Sequence, residues 1–167
     1  NVPVRGLSSF NDGEGTLINL KEETMENALV SGIAFQKDQV KFTLHGVGDI
    51  PGTAFKILGP ISDAEVEVDV IVQNVSVDGK TDFTFTVAAE DQDTVTKVIE
   101  GIKSEVEFND LMIDPDIAKV SIVGVGMRSQ AGVASKAFKA LSENDVNIQI
   151  ICTSEIKITM VIDEKIV

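Results

Sequence analysis

The chain has little of what most catalytic and metal chemistry needs. Its 167 residues include one cysteine, Cys152, and one histidine, His45. A single cysteine excludes an internal disulfide, and its place in an apolar stretch reads as a small buried hydrophobe. A single histidine cannot form a His-His metal pair and has no Ser-His partner, so His45, at the end of a strand pattern, reads as structural. Basic residues are few: 14 Lys and Arg stand against 27 Asp and Glu, for a net charge of −13. Phosphate backbones need clustered Lys and Arg, which argues against nucleic acid as a partner. The acidic residues are spread along the whole length and read as a solvated surface. No apolar run approaches the ~20 residues of a membrane helix. No signal peptide is visible, so no membrane partner is indicated and a cytoplasmic setting is expected. The motifs G-x-x-x-x-G-K-[ST], G-x-G-x-x-G, H-E-x-x-H and C-x-x-C are missing. The chain opens on Asn1 rather than Met, which suggests a piece of something longer or a processed or trimmed chain.

What the chain does have is a repeat. Residues 40–76 and 118–154 share one plan: an alternating apolar strand, a Gly-x-Gly turn, a further Gly, a short amphipathic helix and another apolar strand. Gly46 and Gly48 stand 78 residues before Gly124 and Gly126, and Gly52 stands 80 before Gly132. The register then holds through Lys56 and Lys136, Ser62 and Ser142, Val66 and Val146, Val68 and Ile148, Ile71 and Ile151. A repeat of this length predicts two small domains, each leaning on the other or on a second chain. The seam between similar units is a natural site for a small ligand.

Periodicity predicts the elements. Residues 1–27 are turn-rich and read as a connecting segment. Strands are expected at 29–35 and at 40–45, where Val40, Phe42 and Leu44 alternate with polar residues. Ala54, Ile57, Leu58, Ile61 and Ala64 fall at helical spacing. A strand over 65–72 is expected, with Glu65, Glu67 and Asp69 on its exposed face. Asp78-Gly79 signals a hairpin, leading into a strand with Phe83, Phe85 and Val87 inward. A helix over 91–104 and a strand over 105–113 close the unit. The second unit repeats a strand (118–125), a helix (132–144) and two strands (147–153 and 156–162). The order β-α-β-β-α-β predicts an α+β class with two ferredoxin-like units. The second unit lacks a closing strand, for which 29–35 is free. The division is therefore 1–27 as linker, 38–113 as first domain, and 28–36 plus 114–167 as second, the first inserted into the second.

One corner suggests chemistry. Gly48-Asp49-Ile50-Pro51-Gly52 leads straight into a helix N-terminus, whose unpaired N–H groups and positive dipole end suit a carboxylate. Asp49 places a negative charge within reach, suited to an ammonium. Together they complement a free amino acid. Alternatively Asp49 only caps the helix and Pro51-Gly52 only makes the turn; the residues alone leave both open. Gln73-Asn74 ends one strand, and Thr153-Ser154 holds the equivalent place.

These residues resemble a known family. VQNVS at 72–76 and TDFTFTV at 81–87 resemble the first ACT domain of bacterial aspartate kinases, and GVGM at 124–127 with NIQIICTSEIKITMVID at 147–163 resembles the second. SSF at 8–10, GTLI at 15–18 and SGIAF at 31–35 resemble the linker after the kinase catalytic domain. The kinase opening K-[FY]-G-G-[ST] is absent from the chain. The resemblance implies the regulatory part alone: a separate β subunit of an α2β2 enzyme, or the C-terminal half of a longer chain. It implies a homodimer through ACT domains, contact with a kinase catalytic domain or subunit, and threonine, lysine or both bound at the interface. Feedback inhibition of aspartate phosphorylation, on the way to lysine, threonine and methionine, would follow. Carried over, the threonine site falls on Asp49, Ile50, Gly52, Ala54 and Gln73, completed by Asn147 and Ile148 from the partner chain. A second pocket falls on Met127, Arg128, Ser129 and Gln130. There the family's S-H-x-G turn is replaced by Ser129-Gln130-Ala131-Gly132, so lysine or nothing as its occupant stays open. No catalytic residue, metal or cofactor is expected in this chain, ATP and Mg belonging to the kinase domain. The alternatives are a dimerisation module with vestigial pockets and a lysine-only sensor.

Overall fold

The computed structural model describes residues 4–7, 10, 14–18, 30–74, 78–124 and 132–167. Two short strands near the N-terminus, β1 (Val4–Gly6) and β2 (Thr16–Ile18), form an antiparallel ribbon of their own. The main body is one six-stranded antiparallel sheet. In chain order it comprises β3 (Gly32–Gly48), β4 (Ile71–Gln73), β5 (Lys80–Ala88), β6 (Asp110–Val123), β7 (Ile150–Thr153) and β8 (Lys157–Asp163). Across the sheet the order is β4-β5-β3-β6-β8-β7. Three helices pack on it: α1 (Thr53–Asp63), α2 (Gln92–Gly101) and α3 (Val133–Glu143).

The two central strands are longer than periodicity suggests. The stretches expected as separate strands at 29–35 and 40–45 run together as β3. No breaker divides them; instead the pairing with β6 slips between Gln36 and Gln39, and Asp38 takes a left-handed conformation at φ 55. The stretches expected at 105–113 and 118–125 merge likewise into β6. Pro115 sits where the register slips again, between the pairs Lys41–Asp114 and Gln39–Ile117, a position that needs no ladder N–H. Residues 105–109 instead turn out of α2, with Val106 N–H donating to the Ile102 carbonyl at 2.9 Å.

The repeat is reproduced in the pairing itself. Phe42 lies opposite Phe85 on one side and Ile113 on the other. Its repeat mate Val120 lies opposite Met160 and Phe35. The beginning of β6 therefore borders the first repeat as the beginning of β3 borders the second. Helix ends repeat too. Gly52 and Gly132 cap the N-termini of α1 and α3 at φ 94 and 101. Beyond their C-termini, Glu65 and Asp145 are left-handed at φ 59 and 56. Each donates its N–H to a serine carbonyl, Ser62 at 2.9 Å and Ser142 at 3.2 Å.

Alternation explains the core. Val40, Phe42 and Leu44 of β3 and Phe83, Phe85 and Val87 of β5 face Ile57 and Ile61 of α1 and Val95 and Ile99 of α2. The Phe42 and Phe85 rings stack at 5.4 Å. In the second repeat Ile122, Ile158 and Met160 meet Val133, Phe138 and Leu141 of α3. The residues alternating with these on the sheet's other surface are buried as well: Ile117 and Val161 are apolar there, while Thr43, Thr86, Lys119, Ser121 and Thr159 are polar. Hydroxyl pairs bridge matching strands there, Thr43 with Thr84 and Ser121 with Thr159, each at 3.0 Å.

Two readings need correction. The strand expected over 65–72 is confined to Ile71–Gln73. Residues before it run extended beside β5, where the Thr86 hydroxyl accepts the Val70 N–H at 3.2 Å and the Thr86 carbonyl accepts the Asp69 N–H at 3.1 Å. Val66 and Val70 still turn inward. Asp69 is exposed as expected, and it also pairs with Lys119 at 2.5 Å. Cys152 is exposed rather than buried, because β7 is an edge strand whose residues 151–153 face outward.

A left-handed residue with a Cβ costs about 1–2 kcal/mol, while glycine costs roughly 0.5–1 kcal/mol more unfolded-chain entropy. Glu65→Gly is therefore expected to stabilise the protein by about 0.5–1 kcal/mol, read as a higher urea midpoint with an unchanged slope.

Candidate functional site

The corner after β3 is built almost wholly from backbone. Asp49 N–H donates to the Gly79 carbonyl at 2.9 Å, which ties the corner to the hairpin before β5. The Thr53 hydroxyl donates to the Gly48 carbonyl at 2.9 Å, and the Thr53 N–H to the Ile50 carbonyl at 3.2 Å. The N-cap is Gly52, which has no side chain to offer, and no side-chain cap hydrogen bond is made. The first turn of α1 thus presents N–H donors without the side-chain acceptor that most helices supply.

Of the two readings of Asp49, the geometry bears on the capping one. Asp49 does not cap the helix. Its Oδ1 instead accepts from Gln73 Nε2 at 3.5 Å, across from the end of β4. β3 and β4 run parallel on either side of β5, so both end at this corner. Asp49, Ile50, Gly52, Ala54 and Gln73 are all exposed there, Ile50 at 61%. Beside them lies a hollow of about 260 Å³ lined by Val47, Gly48, Ile50, Thr53, Lys56 and Val106. A carboxylate at one side and amide donors at the other give the corner the polarity of an amino-acid zwitterion.

Asn147 and Ile148 are not brought to it. They precede β7, on the sheet edge opposite β4. They line a separate shallow hollow with Phe138, Ser142, Asp145 and Val146. Met127, Arg128, Ser129 and Gln130 lie outside the described residues. The helix start that follows them is described: Gly132 leaves α3 without a side-chain cap, as Gly52 leaves α1.

A second polar cluster at the same end of the sheet was not legible beforehand. His45 Nδ1 lies 3.0 Å from Asp82 Oδ2, while Asp82 Oδ1 accepts the Gly46 N–H at 2.9 Å. Lys80 and Asn109 join them around a hollow of about 480 Å³. Gly46 is required here: it is left-handed at φ 66, and a Cβ would come within 2.2 Å of Asn109 Nδ2. The signal was the pair His45 and Asp82 on neighbouring strands, visible only once the register slip between Leu44 and Val47 is known. The Gly46 N–H, and secondarily His45, hold the Asp82 carboxyl below its ordinary value. Among the described residues there is no group of acidic, His or Cys side chains that could hold a metal ion. No described helix is long and apolar enough to cross a membrane.

Comparison with known proteins gives a consistent set of likenesses. Residues 120–167 match the ACT domain family. The chain is 58% identical over 165 residues to an aspartate kinase of Stutzerimonas stutzeri and 46% identical over 162 residues to an aspartokinase of Helicobacter pylori. It covers 98% and 95% of itself in these matches but spans only about 40% of either relative. Among solved structures it resembles a chain of an aspartokinase alpha and beta subunit structure, with TM-score 0.76 and 46% identity. That match covers 81% of this chain and 89% of the other. It also resembles the ligand-free regulatory subunit of aspartate kinase from Thermus thermophilus, with TM-score 0.77 and 33% identity, covering 83% of this chain and 91% of that one.

Two outcomes are expected. Gly52 has open space around it but sits at φ 94. Gly52→Ala should therefore cost about 1–2 kcal/mol through backbone strain alone, seen as a lowered urea midpoint. Asp82 carries a depressed carboxyl, so its contribution is present above the ordinary 3.8 and is lost as pH falls through the lower folded value. Asp82→Asn should be less stable than the parent at pH 7, and the gap in urea midpoints should close in acid below 3.8.

Proposed function

We propose a function from one premise: the chain belongs to the aspartate kinase family, as its ACT-domain regulatory part. Its role is that of an allosteric sensor that binds a free amino acid, threonine first and lysine as the second candidate, and lowers the activity of the kinase part. The observation that carries this is the corner of Asp49 and Gln73, where a carboxylate stands beside an uncapped helix N-terminus. The ammonium would meet Asp49, the carboxylate the first-turn amides of α1, and the side chain Gln73.

The pairing supports two ferredoxin-like ACT domains. In the first, the strand order β6-β3-β5-β4 corresponds to 4-1-3-2 within the unit. In the second, residues 32–36 of β3 take the fourth place beside β6. That arrangement inserts the domain of 38–113 into the one made of 28–36 and 114–167, with 1–27 as the link to the kinase domain. Because one chain leaves the corner open and holds Asn147 and Ile148 at the far edge, a partner copy must supply them. The functional unit is then a homodimer through its ACT domains, joined to a kinase catalytic domain or subunit that holds ATP and Mg. A cytoplasmic setting follows from that role.

Coupling works by population shift. The effector binds better to one arrangement of the ACT pair, and that arrangement carries the less active kinase. Coupling of about 1–3 kcal/mol would change affinity or activity about 5- to 150-fold. A metabolite sensor needs only weak binding, and a dissociation constant of about 0.1–1 mM requires about 4–5.5 kcal/mol.

Calorimetric titration of the full-length protein with threonine, and separately with lysine, tests the reading. Heat with threonine is expected. Heat with lysine alone would mark a lysine-only sensor, and heat with neither would leave a dimerisation module with vestigial pockets. Asp49→Ala removes one charge-assisted contact, worth about 1.5–3 kcal/mol, so threonine binding should weaken about 10- to 100-fold. The dimer should survive, as measured by sedimentation.

A further inference from the structure

Lys119 is the most deeply buried charged side chain among the described residues, 3% exposed, and nothing in the effector corner uses it. It lies on β6 and alternates with Ala118 and Val120, so it points away from α3. Its ammonium meets Asp69 Oδ2 at 2.5 Å. Asp69 belongs to the other repeat, in the extended segment that leads into β4. From β6 to that segment is three strand steps, about 14 Å in a flat sheet. A lysine and one hydrogen bond do not span that distance, so the contact exists because the sheet curls and brings the helix-free surfaces of its two halves together.

The same contact is made a second time. Lys41 precedes Lys119 by 78 residues, and Asp69 precedes Gln149 by 80, the two offsets of the repeat. Lys41 Nζ donates to Gln149 Oε1, again from a central strand of one repeat to the segment before the edge strand of the other. It also pairs with Asp114 at 3.2 Å, with its own side chain 14% exposed. The anchoring segments match as well. Asp69 N–H donates to the Thr86 carbonyl at 3.1 Å, and Gln149 N–H to the Val161 carbonyl at 2.8 Å.

We propose that Lys119 and Lys41 are positioning residues, two reciprocal struts that set the angle between the halves and carry the state of the effector corner from one to the other. Each strut ends in a segment that carries a residue assigned to effector binding. Asp69 lies four residues before Gln73, and Gln149 directly follows Ile148. A ligand that draws in the end of β4 pulls on the carboxylate that holds β6. An apolar seam would tolerate many angles, whereas a buried ammonium with one partner accepts few. The coupling half of this inference rests on the amino-acid-sensor reading; the positioning half does not.

The experiment uses the full-length kinase with spin labels at Ser62→Cys on α1 and Lys136→Cys on α3, with Cys152 and any other reactive cysteine replaced. The parent should give one narrow distance distribution. Lys119→Met, which keeps the stem and removes the charge, should broaden or displace it, and Lys41→Met should do the same. The double variant should show the largest change, and Lys119→Arg should restore the parent distance. Should Lys119→Met not fold, the more exposed Lys41→Met carries the comparison. A distribution unchanged in the folded Lys41→Met variant, and in the double variant where it folds, overturns the inference. In parallel, maximal inhibition at saturating threonine should fall at least about fivefold in the variants, the lower end of the range typical of such coupling, while threonine still binds. Threonine that binds and inhibits the double variant as fully as the parent overturns the coupling half. If threonine does not bind the parent at all, the sensor reading fails, and the distance measurement alone decides the role of the struts.

Discussion

The antiparallel pairing of β3 with β6 is the constraint on which the rest depends. Each strand serves both repeats, with one end in the first and the other in the second. Neither half could keep its sheet without the strand it borrows. A unit of this size buries only a modest core, and here two cores are joined by continuous backbone hydrogen bonding rather than by a docked interface. The register slips at Asp38 and Pro115 let these long strands bend midway. That bend brings the helix-free surfaces together, and it explains why Thr86, Ser121 and Thr159 are buried without any helix above them.

The candidate corner inherits its shape from the same framework. β3 ends where β4 ends because both flank β5, so Asp49 and Gln73 meet without any specific loop design. Gly52 then starts α1 with no cap, leaving amide donors next to a carboxylate. The repeat produces a second uncapped start at Gly132. Sequence change between the repeats falls on the side chains around these starts, where Asp49-Ile50-Pro51 becomes Ser129-Gln130-Ala131 across an inserted pair of residues. One backbone device, used twice, can thus present two different chemistries.

Much of the fold was legible because the repeat is strong. The glycine offsets, the alternation of Phe83, Phe85 and Val87, and the helical spacing of Ile57 and Ile61 all report local geometry. The merging of strands was not legible, since Gln36-Lys37-Asp38-Gln39 looks like a turn unless tertiary pairing carries it through as a bulge. The left-handed Glu65 and Asp145 were hidden for a related reason: that conformation is usually marked by glycine. At the candidate corner, Asp49 and Gln73 were named from the residues and from resemblance, and the fold brings the two within 3.5 Å of each other. The cluster of His45 and Asp82 could not, because it requires a register slip. Lys119 was missed because a lysine between apolar residues such as Ala118 and Val120 on a strand normally marks the solvent side.

Amide hydrogen exchange on the full-length kinase, with and without saturating threonine, tests the central claim most directly, because it reads the corner and the shared strands together. Slower exchange is predicted over 49–56 and 71–74, extending to 117–121 in the middle of β6. Threonine that slows exchange in none of these segments would contradict a corner built to hold an amino acid and wired through β3 and β6.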